Sequence, residues 1–273
     1  MTNPISRTAY YTLGVRAWDA SQPNPVCGDS FAKDFMNEEA QSVWREFEDQ
    51  LMPNTSNASR HAIIDTYLRD ALSVASDSQV VIIGAGFDTR AFRIKGGSWI
   101  EVDESAIITY KESILAASKA HNTLNRISIH FETESLLDKL APFSKPGTVH
   151  IIIEGVLMYL TQEKRKRLIK DLQSLFPKHI IYCDLMRQSF FKKYGGPVHE
   201  KIKALGASFT DMLEHPENLF LENGYKMLSC VSIPLYAARN AKIGIPSFVI
   251  RYLLRTLRDG YQICRFEAVN RQQ

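Results

Sequence analysis

Two glycines one residue apart follow a short apolar run in the first third of the chain. The run Val80–Ile83 contains only valine and isoleucine, and Gly84, Ala85 and Gly86 come directly after it. Glycine lets the backbone turn sharply and approach a ligand that a Cβ would exclude. A buried strand, a glycine turn and a helix, in that order, line the ligand crevice of open α/β sheets. We therefore predict a ligand-binding turn here; the alternative is a tight turn that needs glycine only for its own geometry.

An acidic residue follows at the spacing expected for a nucleoside site. Asp103 lies about twenty residues after the glycine turn, where a carboxylate can accept hydrogen bonds from both ribose hydroxyls. The alternative role for Asp103 is to cap the helix that starts at Glu104. The third position of a G-x-G-x-x-G pattern is Thr89, not glycine. This departure favours a nucleoside without a pyrophosphate over NAD.

Two further acids follow predicted strands. Glu154 comes directly after three isoleucines, Ile151–Ile153, and a carboxylate there is costly to bury without a partner. We predict that it meets the amino group of an amino-acid moiety; the alternative is a salt bridge to a neighbouring helix. Glu132 follows the third predicted strand and is placed either at an adenine edge or in a solvated loop.

The elements that must position these residues alternate between strands and helices from Gln79 onward, which predicts an α/β fold with helices on both faces of a mostly parallel, seven-stranded sheet. We expect the last strand to run antiparallel. The predicted strands are Val80–Ile83, Ser98–Val102, Ile127–Phe131, Val149–Ile153, His179–Asp184, Met227–Ile233 and Tyr261–Val269.

We predict one domain over residues 1–273, in three parts. Residues 1–76 form a helical cap, with one helix capped by Ser6, another beginning near Ser59, and loops at Gln22–Gly28 and Met52–Ala58. Residues 77–185 form the cofactor-binding core. Residues 186–273 carry the last two strands and two long connections, which we predict to be lids over the active site.

Composition excludes several classes of protein. Lysine and arginine number 33 and aspartate and glutamate 30, so a net charge of +3 gives no reason to expect a nucleic acid or membrane partner. Met1–Tyr10 lacks the features of a signal peptide, and no apolar run approaches the roughly 20 residues that span a bilayer. We expect a cytoplasmic protein with four reduced cysteines. We predict no metal site, because no Cys/His pair has ligand spacing.

Taken together, these segments resemble the leucine carboxyl methyltransferase family, whose members methylate protein phosphatase C-termini or small molecules such as polyketides. The resemblance covers roughly two-thirds of the chain. The stretches that carry it are Ser6–Ala9, Arg60–Leu68, Gly84–Arg90, Glu101–Asp103 and Glu154–Tyr159.

The resemblance implies a class I methyltransferase fold that binds S-adenosylmethionine at these loops. It implies that Arg60 pairs with the cofactor's carboxylate, and it assigns Gly84 to the cofactor turn, Asp103 to the ribose and Glu154 to the methionine end. Lys33 is matched to a lysine near the cofactor. Glu132 and Thr133 stand where many members have Asp-Leu on the adenine side.

The resulting prediction is an S-adenosylmethionine-dependent methyltransferase that acts on an oxygen, carboxylate or hydroxyl, of an anionic or aromatic small molecule. The alternatives are a carboxyl methyltransferase for a protein C-terminus, an NAD-dependent oxidoreductase and a binding module without catalysis. No general base is evident, and Tyr159, beside the Glu154 loop, is either a hydroxyl that orients the acceptor or a packed aromatic residue. Arg251, Arg255 and Arg258, on one predicted helix, form either a solvated cationic face or an anchor for an anionic acceptor.

Overall fold

The computed structural model describes residues 4–240 and 243–269, with side chains from residue 7 onward. Seven strands form one sheet in the order β3-β2-β1-β4-β5-β7-β6. They are β1 (Gln79–Ile83), β2 (Ser98–Asp103), β3 (Thr123–Ser128), β4 (Val149–Ile153), β5 (His179–Met186), β6 (Tyr225–Ser232) and β7 (Tyr261–Ala268). β1 to β5 pair in parallel, and β7 lies antiparallel between β5 and β6. The predicted fold class is confirmed, including the antiparallel last strand.

Helices cover both faces of the sheet. Those before β4 are α1 (Pro4–Ala20), α2 (Glu38–Arg45), α3 (Leu51–Val74), α4 (Arg90–Arg93), α5 (Ser105–Ile114) and α6 (Leu136–Leu140). Those after it are α7 (Gln162–Leu175), α8 (Gln188–Phe190), α9 (Gly196–Ala204), α10 (Asn218–Leu221), α11 (Ile233–Arg239), α12 (Ser247–Tyr252) and α13 (Arg255–Gly260). A π-helical turn, Phe191–Gly195, joins α8 to α9. No helix in the described ranges is both long and apolar enough to span a bilayer.

The central strands are apolar because both of their faces are covered. All five residues of β1 and of β4 are buried. Alternate residues of β1 point to two separate cores: Val80 and Ile82 join the cluster beneath α1 and α3, whereas Val81 and Ile83 join the cluster beneath α7. A strand that is buried on both faces needs apolar residues at every position, so its sequence is a continuous apolar run and does not alternate between apolar and polar residues.

The helical cap differs from its prediction. Met52–Ala58, predicted as a loop, lies inside α3, and α1 begins at Pro4, so Ser6 does not cap it. Pro53 is tolerated because it stands in the first turn of α3, where its missing N–H has no helical partner. Asn54 is buried and donates from Nδ2 to the Phe47 carbonyl at 2.7 Å. Two of the polar residues that suggested a loop, Asn54 and Asn57, are therefore bonded within the cap.

The third strand lies about four residues before its predicted position. β3 is an edge strand whose residues are only half-buried or exposed, and its register pairs Thr123 with Ser98 and Ser128 with Asp103. The more apolar stretch that followed, through Phe131, leaves the sheet and enters the cavity wall. The predicted bounds were wrong because they followed the most apolar residues. An edge strand faces solvent on one side, so its residues need not be apolar.

The prediction of four reduced cysteines was wrong as well. Cys230 of β6 and Cys264 of β7 stand directly opposite each other, with Cα atoms 4.1 Å apart, and form a disulfide. Cys27 and Cys183 are free. Cys230 and Cys264 are separated by 34 positions in the sequence, and only the pairing of β6 with β7 brings them together, so the sequence alone does not reveal the disulfide.

Candidate active site

A cavity of about 680 Å³ opens at the carboxyl ends of the parallel strands. This volume is in the range of pockets that enclose cofactors and small molecules. The ends of β1, β2, β4 and β5 form its floor, and α1 and α3 form one wall. Parallel strands all end at the same edge of their sheet, so residues far apart in sequence converge there.

The glycine turn forms one side of this floor. Gly84 and Gly86 have positive φ values of 67° and 48°, a backbone conformation that favours glycine. A Cβ on Gly84 would stand 2.5 Å from Cγ2 of Val156, so the turn is also too close to the β4 loop for a side chain. Gly84 and Ala85 donate to the Val102 carbonyl, which ties the turn to the end of β2.

Asp103 meets the glycine turn directly. Its Oδ2 accepts a hydrogen bond from the Gly86 N–H at 2.6 Å, and its Oδ1 accepts one from the Glu104 N–H at 2.7 Å. Burial raises the pKa of Asp103 to about 6, although the two N–H donors partly offset this. Asp103 is the last residue of β2, and Glu104 holds the N-cap position of α5, so the alternative role as a helix cap does not apply. The carboxylate lines the cavity.

Glu154 lies at the cavity floor within a network of ion pairs. It accepts from Arg60 Nε at 3.1 Å and from Arg90 Nη2 at 2.8 Å, and His61 Nδ1 is 3.3 Å away. Burial alone would raise the pKa of Glu154, but Arg90, His61 and Arg60 outweigh it and hold the pKa well below its usual range. Glu154 therefore forms the salt bridges to neighbouring helices that the sequence left open as its alternative role, through Arg60 of α3 and Arg90 of α4, and it also lines the cavity.

Arg60 connects Glu154 to the end of β5. Its Nη1 donates to Asp184 Oδ2 at 3.2 Å and to the Tyr261 hydroxyl at 2.9 Å. Asp184 also accepts from the Gly155 N–H at 2.7 Å, which fixes the loop after β4. Gly155 has a φ of 69°, and a Cβ there would be 3.0 Å from Arg60 Nη2, so only glycine lets the guanidinium lie against this loop.

Sequence reasoning missed Arg90, His61, Asp184 and Tyr261. Arg90 is fully buried and its guanidinium pairs with Asp65, Asp88 and Glu154. One signal was available: Asp184 follows an apolar strand in the same way that Glu154 does. No comparable signal marks Arg90 or Tyr261, because their partners other than Asp88 lie 25 to 201 residues away.

One group of three residues has the composition of a metal site. Ligand atoms of His61, Asp88 and Glu154 all lie within 4.8 Å of one another. The Arg90 guanidinium, however, lies among them and bonds to all three. A second cation at this position would meet the fixed positive charge of Arg90, so the group is better described as the binding site of the arginine.

The remaining predicted residues lie in different surroundings. Glu132 lines the cavity mouth, exposed, with both of its oxygens bonded to Lys164, and Thr133 lies beside it. Tyr159 lines the cavity, and burial raises its pKa to about 12. Lys33 is exposed in the turn Ala32–Phe35 and is not part of the cavity wall.

The wall opposite the glycine turn is apolar. Both long connections contribute to it, the first through Phe190, Val198, Ile202 and Phe209 and the second through Ile243 and Leu257. Arg251, Arg255 and Arg258 do not line the cavity. The predicted helix that carried them is broken at Leu253 and Leu254 into α12 and α13. The structure therefore does not support their role as an anchor inside the acceptor pocket.

Comparison with known proteins identifies the family. The model of the leucine carboxyl methyltransferase family matches residues 9–173, well over half of the chain. The chain belongs to this family. The match contains the glycine turn, Asp103, Arg60 and Glu154, and it ends within α7, before the two long connections. The resemblance stated from the sequence is confirmed.

Relatives and solved structures agree with this membership. A Parafrankia protein named as an S-adenosyl-L-methionine-dependent methyltransferase is 28% identical over 190 residues, which are 63% of this chain and 59% of that protein. The chain thus matches about three-fifths of that relative's length. A DUF574 family protein from Streptomyces avermitilis superposes with a TM-score of 0.60 at 11% identity, covering 97% of this chain and all of that one.

A second solved structure is similar to the chain in its fold. Magnesium protoporphyrin IX methyltransferase from Synechocystis, solved with bound S-adenosylhomocysteine, has a TM-score of 0.50 at 14% identity, covering 88% of this chain and 99% of that one. At such identities the likeness concerns the fold alone, which is that of class I methyltransferases.

Proposed function

We propose that this family member binds S-adenosylmethionine and transfers its methyl group to an oxygen, carboxylate or hydroxyl, of a small and largely apolar molecule. One observation carries the proposal. The glycine turn after β1 and the acid at the end of β2 meet at a cavity wall, with the Gly86 N–H bonded to Asp103 at 2.6 Å. This is the arrangement that holds the ribose of a nucleoside cofactor.

The polar groups near Asp103 fit a ribose. Asp103 presents a buried carboxylate to the cavity, and the pKa of about 6 shows how poorly its charge is compensated by the protein alone. Oε1 of the neighbouring Glu104 is buried and finds no hydrogen-bond donor among the described residues. Unpaired acceptors of this kind are costly. Ribose hydroxyls would supply the donor that Glu104 lacks and would add to the two N–H donors of Asp103.

The charged groups beneath the cavity floor hold the residues proposed for the methionine end in place. Four arginines, Arg16, Arg60, Arg90 and Arg93, are paired with five carboxylates, Asp29, Asp65, Asp88, Glu154 and Asp184. His61 lies 3.3 Å from Glu154 and 3.7 Å from Asp65, and the half-exposed Arg69 pairs with Asp65 from outside. This network fixes Arg60 and Glu154 at the cavity wall, where they would meet the carboxylate and the ammonium group of S-adenosylmethionine.

Within this assignment Arg60 and Glu154 hold the amino-acid end. The Arg60 guanidinium faces the cavity beside Gly155 and would bind the carboxylate, and Glu154 would accept from the ammonium group. Glu132 and Thr133 border the cavity where the adenine would extend, beyond Asp103. Lys33 lies outside the wall, so its match to a cofactor lysine stays a prediction from the resemblance alone.

The sulfonium supplies the activated methyl group, so the protein must mainly align an acceptor oxygen. Alignment of this kind supplies up to about 7–11 kcal/mol in favourable cases. Because the pKa of Tyr159 is about 12, its phenol stays protonated at neutral pH and can orient an acceptor but cannot serve as its base. The apolar wall of Phe190, Ile202 and Phe209 favours an acceptor with an apolar body.

Calorimetric titration with S-adenosylmethionine, S-adenosylhomocysteine and NAD⁺ tests the cofactor assignment. We expect the two methyl-donor ligands to bind and NAD⁺ not to bind. Preferential binding of NAD⁺ would overturn the proposal. The acceptor is tested with labelled methyl donor and three sets of compounds, namely aromatic acids, phenols and short peptides with a free C-terminus. Methylation of the peptides alone would move the assignment to a protein carboxyl methyltransferase.

A further inference from the structure

An exposed patch of apolar and cationic side chains lies on the outer face of the second long connection. Phe248, Tyr252 and Leu253 are 63%, 68% and 71% exposed. Arg251 and Arg255 stand beside them, also exposed. We call these five residues the outer patch. Large apolar side chains at such exposure, adjacent to one another, mark a surface that contacts something.

The packing of α12 and α13 turns this patch toward solvent. Phe248, Arg251 and Tyr252 have i, i+3, i+4 spacing on α12 and so share one face of that helix. Ile250 of the same helix is fully buried and faces the core beneath α11 and α13. From α13, Leu257 lines the cavity whereas Arg255 is exposed. The segment is therefore a thin layer with the cavity on one side and the outer patch on the other.

The charge of the patch is only partly compensated. Neither Arg251 nor Arg255 forms a salt bridge within the described residues. Asp259 interacts electrostatically with Arg255, but it is bonded to Arg258. The segment from residue 243 to residue 258 contains no aspartate or glutamate. The small net charge of the whole chain gave no reason to expect a membrane partner, but it hides this local excess.

We propose that the outer patch binds the surface of an anionic phospholipid bilayer, with Phe248, Tyr252 and Leu253 inserted among the headgroups and Arg251 and Arg255 bound to phosphates. Aromatic and leucine side chains beside arginines are the composition of helices that lie in the plane of an interface. A second copy of the chain fits poorly, because a twofold contact would bring like charges from both copies together.

Co-sedimentation of the purified full chain with two kinds of vesicle tests this proposal. One kind contains phosphatidylcholine only, and the other contains equal parts of phosphatidylcholine and phosphatidylglycerol. We expect binding to the second kind and little to the first. The double variant Arg251→Gln, Arg255→Gln should bind the anionic vesicles roughly thirtyfold more weakly at low salt. High salt should narrow the difference between it and the wild type, since exposed charges are then screened.

The triple variant Phe248→Ser, Tyr252→Ser, Leu253→Ser should lose binding at every salt concentration. A matched control, Val74→Ser with Arg45→Gln, changes an exposed apolar residue and an exposed arginine elsewhere and should bind like the wild type. Melting curves show that each variant is folded. Equal binding to both kinds of vesicle, or wild-type binding by both patch variants, would overturn the proposal. So would binding of soluble polyglutamate in place of vesicles. The assay does not involve methyl transfer, so it stands or falls independently of the proposed reaction.

Discussion

The two sides of the cavity are built on different principles. The donor side consists of strand ends, a glycine turn and buried ion pairs, and almost every polar group there is bonded to a residue distant in sequence. The acceptor side consists of apolar side chains from two long connections outside the parallel core. A rigid sheet edge suits the proposed cofactor, which is the same molecule in every methyltransferase that uses it. Loops and short helices suit an acceptor, because they can change without altering the sheet. The family match, which ends before these connections, follows the same division.

The largest effect should come from breaking the charge network of the donor side. Arg90→Met keeps the volume of the side chain but leaves Asp65, Asp88 and Glu154 without their shared partner. Removing one partner of a buried ion pair costs about 3–5 kcal/mol. We expect a loss of this size in the free energy of unfolding, measured by urea denaturation.

Arg69→Met is the matched control. Arg69 also pairs with Asp65, but its side chain is 51% exposed, and exposed pairs contribute about 1 kcal/mol or less. If the two variants lost similar stability, the network would not be what holds the donor side together.

The next effect concerns cofactor binding. Asp103→Ala removes the acceptor proposed for the ribose and should weaken S-adenosylmethionine binding by about 1–3 kcal/mol. Calorimetry measures this directly. Asp70→Ala, the same change at an exposed position of α3, should leave affinity unaltered. Unchanged affinity in Asp103→Ala would contradict the ribose assignment, whatever happened to stability.

The same division explains what the sequence could predict. Gly84, Asp103 and Glu154 could be placed near one another from the sequence, because each stands at the end of a predicted parallel strand or directly after it, and such ends meet at one edge of the sheet. Arg90 and Tyr261 were not found, because their roles depend on which helices and strands become neighbours. The cap was misread at Met52–Ala58 because Asn54 and Asn57, which bond to other parts of the cap such as Phe47 and Tyr11, look in the sequence like loop residues. The disulfide between Cys230 and Cys264 likewise could not be predicted without knowing that β6 pairs with β7.

A pH dependence sharpens the assignment of Asp103. Its pKa is raised from 3.8 to about 6 in the free protein, and hydroxyl donors from a ribose would favour its ionised form. Affinity for S-adenosylmethionine should therefore fall about tenfold between about pH 7 and pH 5, as the free carboxylate takes up a proton that binding must displace. Titration calorimetry at several pH values measures this, and Asp103→Asn should show no such fall.

The sign for stability is the opposite of that for binding. Because burial raises the pKa of Asp103, the folded protein binds more protons than the unfolded chain between about pH 4 and pH 6. The contribution of this residue to the free energy of unfolding is therefore present at the acidic end of the window and lost as the pH rises through about 6. Relative to wild type, Asp103→Asn should therefore gain free energy of unfolding between pH 5 and pH 7, because Asn removes the cost of burying an ionised carboxylate. A change in the opposite direction would contradict the raised pKa.

The smallest effects should come from the two residues that resemblance placed near the cofactor and the structure leaves exposed. Lys33→Ala should not change S-adenosylmethionine affinity, because Lys33 is outside the cavity wall. Glu132→Gln should lower it by no more than about threefold, because both carboxylate oxygens already bond to Lys164 in an exposed pair. Calorimetry on both variants beside Asp103→Ala ranks the three positions. If Lys33→Ala weakened binding as much as Asp103→Ala, the turn at Ala32–Phe35 would have to move and close over the cofactor. The donor side of the cavity would then be mobile and not rigid.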